Sequence, residues 1–307
     1  MLPKARKIAL LAAAAVVPLL GPAAPAWAGW REDLGTFRIG MVAEPGAGQS
    51  VAGLPALKDA YSAALGMPVE VLVARSLPAL VEAQADRRVD YAIYTAAAYA
   101  TAWRLCGCVE PVAAPVGADG STGLRAVLLG RTGAAASLAG VAGRRIAVSD
   151  AGQGPFPPVA GLMEAVAAAG GAAPTTVEAA SAEEAERLFA AGDVEFILGW
   201  EPVAADGAAT PGGGTKGRLA ALGLDAAAVS AVWTSPPVRF GPHAVRTDLD
   251  AEPKRLLSSF LSGLKDRQPE VYDLVEFHRQ GGFVATNHEA YQYVVDTVGA
   301  LAAAPPP

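Results

Sequence analysis

Chemistry that needs thiols, imidazoles or clustered cations has little to work with in this chain. Its 307 residues include two cysteines and three histidines. His243, His278 and His288 have no metal-ligand spacing to one another or to the cysteines, so no metal centre is expected. Ser235 stands in a TSPP run rather than a G-x-S-x-G elbow, which leaves a hydrolase without its nucleophile motif. Gly46 and Gly48 lack the third glycine of a dinucleotide fingerprint, and no cofactor is expected. An exported enzyme therefore ranks last among the function classes considered. Basic patches interleaved with aromatics are also missing, and the formal charge is −6, so nucleic acid and anionic membranes are poor partners.

Long apolar runs are missing too. The longest covers positions 8–20, interrupted by Pro18, short of the roughly 20 residues a membrane span needs. Lys4, Arg6 and Lys7 precede it, and Ala26-Trp27-Ala28 follows as an A-x-A cleavage site. This pattern predicts a cleavable signal peptide over 1–28 and a mature, periplasmic chain beginning near Gly29. No cysteine follows the apolar run, so a lipid anchor is not indicated. Removal of the three basic residues takes the formal charge from −6 to −9.

What is present is a repeated alternation of strand and helix signals. Positions 37–43, 69–73 and 90–94 read as strands, with helices over 50–65 and 77–86 between them. The order recurs with strands at 145–149, 175–178 and 194–199 and helices over 158–169 and from the Ser181-Ala-Glu-Glu184 capping box to Gly192. Such alternation implies parallel sheets with right-handed crossovers. Segments 124–130 and 229–245 read as extended crossings between two lobes, with Pro236 and Pro237 setting direction at the return; edge strands of one sheet are the alternative. Helices are expected over 252–264, 269–280 (stopped by Gly281 and Gly282) and 288–301. The resulting division is lobe 1 over 36–123 plus 240–302 and lobe 2 over 124–239.

The stretch 90–110 carries the strongest local signal. Its strand runs directly into Thr95, an N-cap for an Ala-rich helix. The first helical N–H groups have no partner within a helix, so Tyr94, Thr95, Ala96 and Ala97 would present donors beyond the strand's carboxyl end. An ordinary strand-to-helix connection packed with alanine is the competing reading.

The ordered set FRIGMV, VDYAIYTAAAYATA, LRAVLLGRTGAAASLAGVAGRRIAVSD, AAGDVEFILGWE and VWTSPPVRFGPHAVRTDL resembles the substrate-binding components of phosphate, phosphite and phosphonate ABC transporters. That resemblance implies an α/β, two-lobed type II periplasmic binding protein, a Venus flytrap in which each lobe is a mostly parallel sheet flanked by helices. It implies a monomer that closes on a small oxyanion and delivers it to a membrane permease. The corresponding ligand positions are Glu44, Tyr94, Thr95, Ala96, Gln153, Gly154, Trp200 and Glu201, each beyond the carboxyl end of a predicted strand. A Trp at a strand terminus such as Trp200 is more often core filling, and a Glu before proline such as Glu201 is more often a solvated loop charge. If they face the cleft, free carboxylates at Glu44 and Glu201 select for protonated ligands.

One turn departs from the family pattern. Positions 150–158 (DAGQGPFPP) contain three prolines and no hydroxyl, leaving Gln153 and the Gly154 N–H as donors. The Cys106-Gly107-Cys108 run admits two readings: a disulfide or pair of buried thiols, or a thiolate site for trivalent arsenic brought close to the cleft by the helix after Thr95. Under the second reading, Cys106 is the ligand-facing sulfur and the partner is a sensor histidine kinase.

Overall fold

The computed structural model describes residues 29–42, 53–149, 158–276 and 278–303, so the predicted signal segment lies outside them. The chain divides into a unit ending at Gly35, which holds α1 (Trp30–Leu34), and a unit from Thr36 onward. The second unit opens with β1 (Phe37–Val42), α2 (Leu54–Leu65), β2 (Val69–Ala74), α3 (Leu77–Ala85), β3 (Tyr91–Ile93), α4 (Ala96–Cys106) and β4 (Val109–Gly117). It continues through β5 (Gly123–Arg131), β6 (Arg145–Val148), α5 (Pro158–Ala168), β7 (Thr175–Glu178), α6 (Ala182–Ala191), β8 (Phe196–Val203), α7 (Gly214–Ala221), β9 (Val229–Thr234) and β10 (Val238–Arg239). It ends with β11 (His243–Arg246), α8 (Ala251–Ser262), α9 (Leu264–Arg267), α10 (Pro269–Val275), β12 (Gln280–Ala285) and α11 (Gln292–Ala303).

Two mixed sheets result. The first has the order β12-β4-β11-β3-β1-β2, and the second β10-β5-β8-β6-β7 with β9 also on β5. Within each, the three strands of the βαβαβ repeat pair in parallel, as the alternation predicts. The remaining pairings are antiparallel, because each sheet receives a strand that has crossed from the other: β5 beside β8, and β11 beside β3.

The helix boundaries follow from local chemistry. Ser76, Thr95 and Ser181 cap α3, α4 and α6, each side-chain oxygen accepting an N–H three residues on. Glu184 reaches back past the Ser181 cap and accepts the Ala180 N–H at 2.7 Å, one residue earlier than in a standard capping box. Gly107 and Gly192 end α4 and α6 in the left-handed conformation that spares glycine a steric penalty.

Several expectations change. Segment 124–130 is not a crossing but the middle of β5, paired along its length with β8 and β9. Residues 229–239 form an edge strand on β5 broken at Pro236 and Pro237, where missing N–H groups do least harm. The chain passes between the sheets at 118–122 and 240–242. Strand β4 was hidden by Pro111 and Pro115, and β12 by Gly281 and Gly282, which read as a helix stop. Gly281 lies against the Val116 and Gly117 carbonyls, so a side chain there would collide with β4. The helix expected over 269–280 accordingly ends at Val275.

Residues alternating along β5 feed opposite faces of the second sheet, Ala126 and Leu128 on one and Val127 and Leu129 on the other, so both faces are covered. In the first sheet a polar chain runs through the core: Tyr61 and Tyr91 share a hydrogen bond at 2.8 Å, and Tyr91 bonds His243 Nδ1. Burial lowers the His243 pKa from 6.5 to about 3, so the imidazole is neutral in the folded state. Below pH 6.5 the unfolded chain takes up a proton that the folded chain refuses. Stability is therefore expected to fall with acidification from pH 6.5 toward 3, this residue contributing up to about 1.4 kcal/mol per pH unit. Denaturant titrations of His243→Phe should show a flatter profile over that range; an unchanged slope would place the acid sensitivity elsewhere.

Candidate functional site

In an α/β fold of this topology, ligands bind outside the carboxyl ends of the parallel strands, here β1, β3, β6 and β8. In the first sheet β3 ends at Ile93, and Tyr94 and Thr95 lead into α4. Thr95 is exposed; its Oγ1 accepts the Ala98 N–H at 3.1 Å and its carbonyl accepts the Tyr99 N–H at 2.9 Å. Ala96 and Ala97 occupy the first two helical positions, whose N–H groups have no acceptor inside a helix. Tyr94 contributes no backbone donor, because its N–H is held by the Pro242 carbonyl at 3.1 Å. Its hydroxyl is buried without a hydrogen-bond partner, and burial raises its pKa.

In the second sheet β6 ends at Val148, and the next residue, Ser149, has a buried Oγ that also lacks a partner. From sequence Ser149 reads as the last residue of the 145–149 strand, which hides it as a site residue; its place as the first polar residue after RIAV is the signal that could find it. Glu44, Gln153 and Gly154 lie outside the described residues.

Trp200 and Glu201 do not sit in a loop. Both belong to β8, which continues beyond its pairing with β6 and stays bonded to β5 through Val203. Trp200 is 5% exposed and packs with Ala126, Leu128, Phe196 and Leu198, the core-filling role. Glu201 faces Arg125 across the ladder and accepts from its Nε at 2.8 Å and Nη2 at 2.6 Å. The pair carries no net charge, so Glu201 is not the free acceptor that would select protonated ligands. Arg125 was missed, although an arginine inside the apolar run LRAVLL was a visible anomaly.

The cysteines are not near the start of α4. Cys106 ends that helix ten residues after Ala96, about 15 Å away at 1.5 Å per residue, and is disulfide-bonded to Cys108. Their sulfurs are paired with each other, so neither is available as a thiolate, and the preference for Cys106 as ligand-facing has no geometric basis.

The crossings are tied to both sheets. Phe240 donates its N–H to Thr122 and Thr122 donates to Val203, at 3.1 and 2.8 Å. Tyr291 donates its hydroxyl to the Phe240 carbonyl at 2.7 Å, and the Arg279 guanidinium lies 4.2 Å from the Phe240 ring. Asp119 accepts from the Ser121 N–H and Oγ and from Thr210 Oγ1 at 2.8 Å. Desolvation alone raises this carboxyl, but those hydrogen bonds outweigh it and hold it below the usual range.

Gly241 lies so close to β3 that a Cβ there would overlap the Tyr94 carbonyl and sit 2.7 Å from Thr95 Cα. Gly241→Ala is expected to push the return crossing off the Tyr94–Thr95 backbone, destabilising the fold by about 1–3 kcal/mol in chemical denaturation. A variant as stable as the parent would show that this approach is not a constraint.

Two sheets of matching strand order, each βαβαβ repeat completed by a strand crossing from the other, define a two-lobed type II periplasmic binding protein. The family model described as ABC transporter, phosphonate, periplasmic substrate-binding protein matches residues 39–291, and the chain belongs to that family. Members bind a small ligand and work with a membrane permease. A Xanthomonas citri protein solved with ATP is similar in structure, with a TM-score of 0.56 at 15% identity over 87% of this chain and 98% of that one. PhnD1 of Prochlorococcus marinus in complex with methylphosphonate gives 0.45 at 11% identity over 87% and 98%. A phosphonate-transporter binding component from Pseudomonas aeruginosa gives 0.42 at 17% over 87% and 88%. No curated protein sequence matches the chain significantly.

Proposed function

We propose that the protein, acting as a monomer after export through its 1–28 signal peptide, captures a small phosphorus oxyanion between its lobes and presents it to a membrane permease. Phosphonate, phosphite and phosphate are the ligand class. The observation that carries this reading is the start of α4, where the Ala96 and Ala97 N–H groups stand free of helix acceptors; Tyr94, two residues before Ala96 in the chain, has a buried, unpartnered hydroxyl. Ser149 offers a further unpartnered hydroxyl at the corresponding end of β6. Glu201 does not oppose an ionised ligand, since Arg125 neutralises it.

The work of such a protein is differential affinity. An oxyanion that collects donors from both lobes binds the closed arrangement more tightly and shifts the population toward it, with no covalent step. The arsenite-sensor alternative requires thiolates near the cleft, whereas the two sulfurs are bonded to each other at the far end of α4.

Calorimetric titration of the mature chain with methylphosphonate, phosphite, phosphate and arsenite tests the proposal. Saturable binding of at least one phosphorus oxyanion is expected, and none of arsenite while the Cys106–Cys108 bond is intact. Ala96→Pro deletes a single N–H at a helical position where proline is tolerated, and should weaken binding about tenfold or more while α4 persists. Undiminished affinity in that variant would remove the α4 start from the site; absence of binding by every phosphorus oxyanion would overturn the ligand class.

A further inference from the structure

The Cys106–Cys108 disulfide has no part in the site described above and does little for the fold. A disulfide stabilises chiefly by restricting the unfolded chain, and the effect grows with the loop it closes; residues two apart close almost none. Nor is it needed to end α4. Gly107 already adopts the left-handed conformation, and its N–H bonds the Trp103 carbonyl at 2.6 Å.

The bond is also open to attack. Cys106 is exposed and Cys108 half-buried. The preceding residue, Leu105, is 59% exposed, the most exposed large hydrophobic side chain among the described residues, and it adds apolar surface next to Cys106 in the chain. The Cys108 N–H donates to Cys106 Sγ at 3.2 Å, a contact that favours negative charge on that sulfur once it is released.

We infer that Cys106-Gly107-Cys108 is a thiol–disulfide exchange site, independent of the ligand cleft, whose co-substrate is a dithiol. A thiolate of the dithiol attacks Cys106 Sγ. The Sγ–Sγ bond breaks, Cys108 leaves as a thiolate and takes a proton, and a mixed disulfide remains on Cys106. The second thiol of the dithiol, as its thiolate, then attacks its own sulfur in that mixed disulfide. Cys106 leaves with its charge against the Cys108 N–H and is protonated. The dithiol is oxidised to a disulfide, and the protein gains two electrons and two protons.

The test exposes the native mature chain to dithiothreitol or to reduced thioredoxin at neutral pH, traps thiols with a maleimide and reads the mass. Labelling of both cysteines in the folded protein is expected at a rate within about threefold of that in denaturant, since exposed disulfides are the labile ones. Reduction by dithiothreitol but not thioredoxin assigns the site to small dithiols; reduction by both assigns it to proteins as well. Resistance in the native state, with reduction only after unfolding, overturns the inference. The double variant Cys106→Ser, Cys108→Ser should melt within about 2 °C of the parent. A loss of many degrees would make the bond structural and overturn it equally.

Discussion

The return crossing lies directly on the backbone that opens α4, and the architecture around the cleft depends on that contact. Gly241 has no side chain to keep it away from Tyr94 and Thr95, and the Pro242 carbonyl takes the Tyr94 N–H. A strand end, a helix start and an interlobe passage thus share one rigid junction. The first turn of α4 is therefore positioned by the same peptide units that carry the chain between the two sheets. Tyr291, bonding the Phe240 carbonyl from the C-terminal segment, braces the junction from the other side.

Around this junction most polar groups are spoken for. Arg125 and Glu201 neutralise each other across β5 and β8, Asp119 gathers Ser121 and Thr210, and Thr95 caps its own helix. Buried polar atoms without partners are uncommon in folded proteins. Two of those found here, on Tyr94 and Ser149, belong to residues that immediately follow parallel strands, one in each sheet. An oxyanion with acceptors on several sides is the kind of ligand that relieves such groups.

The cysteines show how composition can mislead when distance along a helix is overlooked. A C-x-C pair eleven to thirteen residues after the N-cap Thr95 is near it in sequence, yet the helical rise carries it about 15 Å to the far end. There it meets solvent instead of the cleft, and its chemistry is that of an exposed redox pair.

The repeated strand–helix alternation, the caps at Thr95 and Ser181, the glycine stop at Gly192 and the family to which the chain belongs are all readable from the residue order alone. These are legible because period, capping and turn chemistry are local properties. Only the tertiary structure decided that 124–130 is a central strand, that proline-bearing β4 and glycine-bearing β12 complete the first sheet, and that Trp200 is core while Glu201 is paired. Those outcomes depend on which strand arrives beside which after two long-range crossings. The neighbour that supplies a hydrogen bond, a counter-ion or a packing surface is then more than 70 residues away, as Arg125 is from Glu201. No pattern within a short window carries that information.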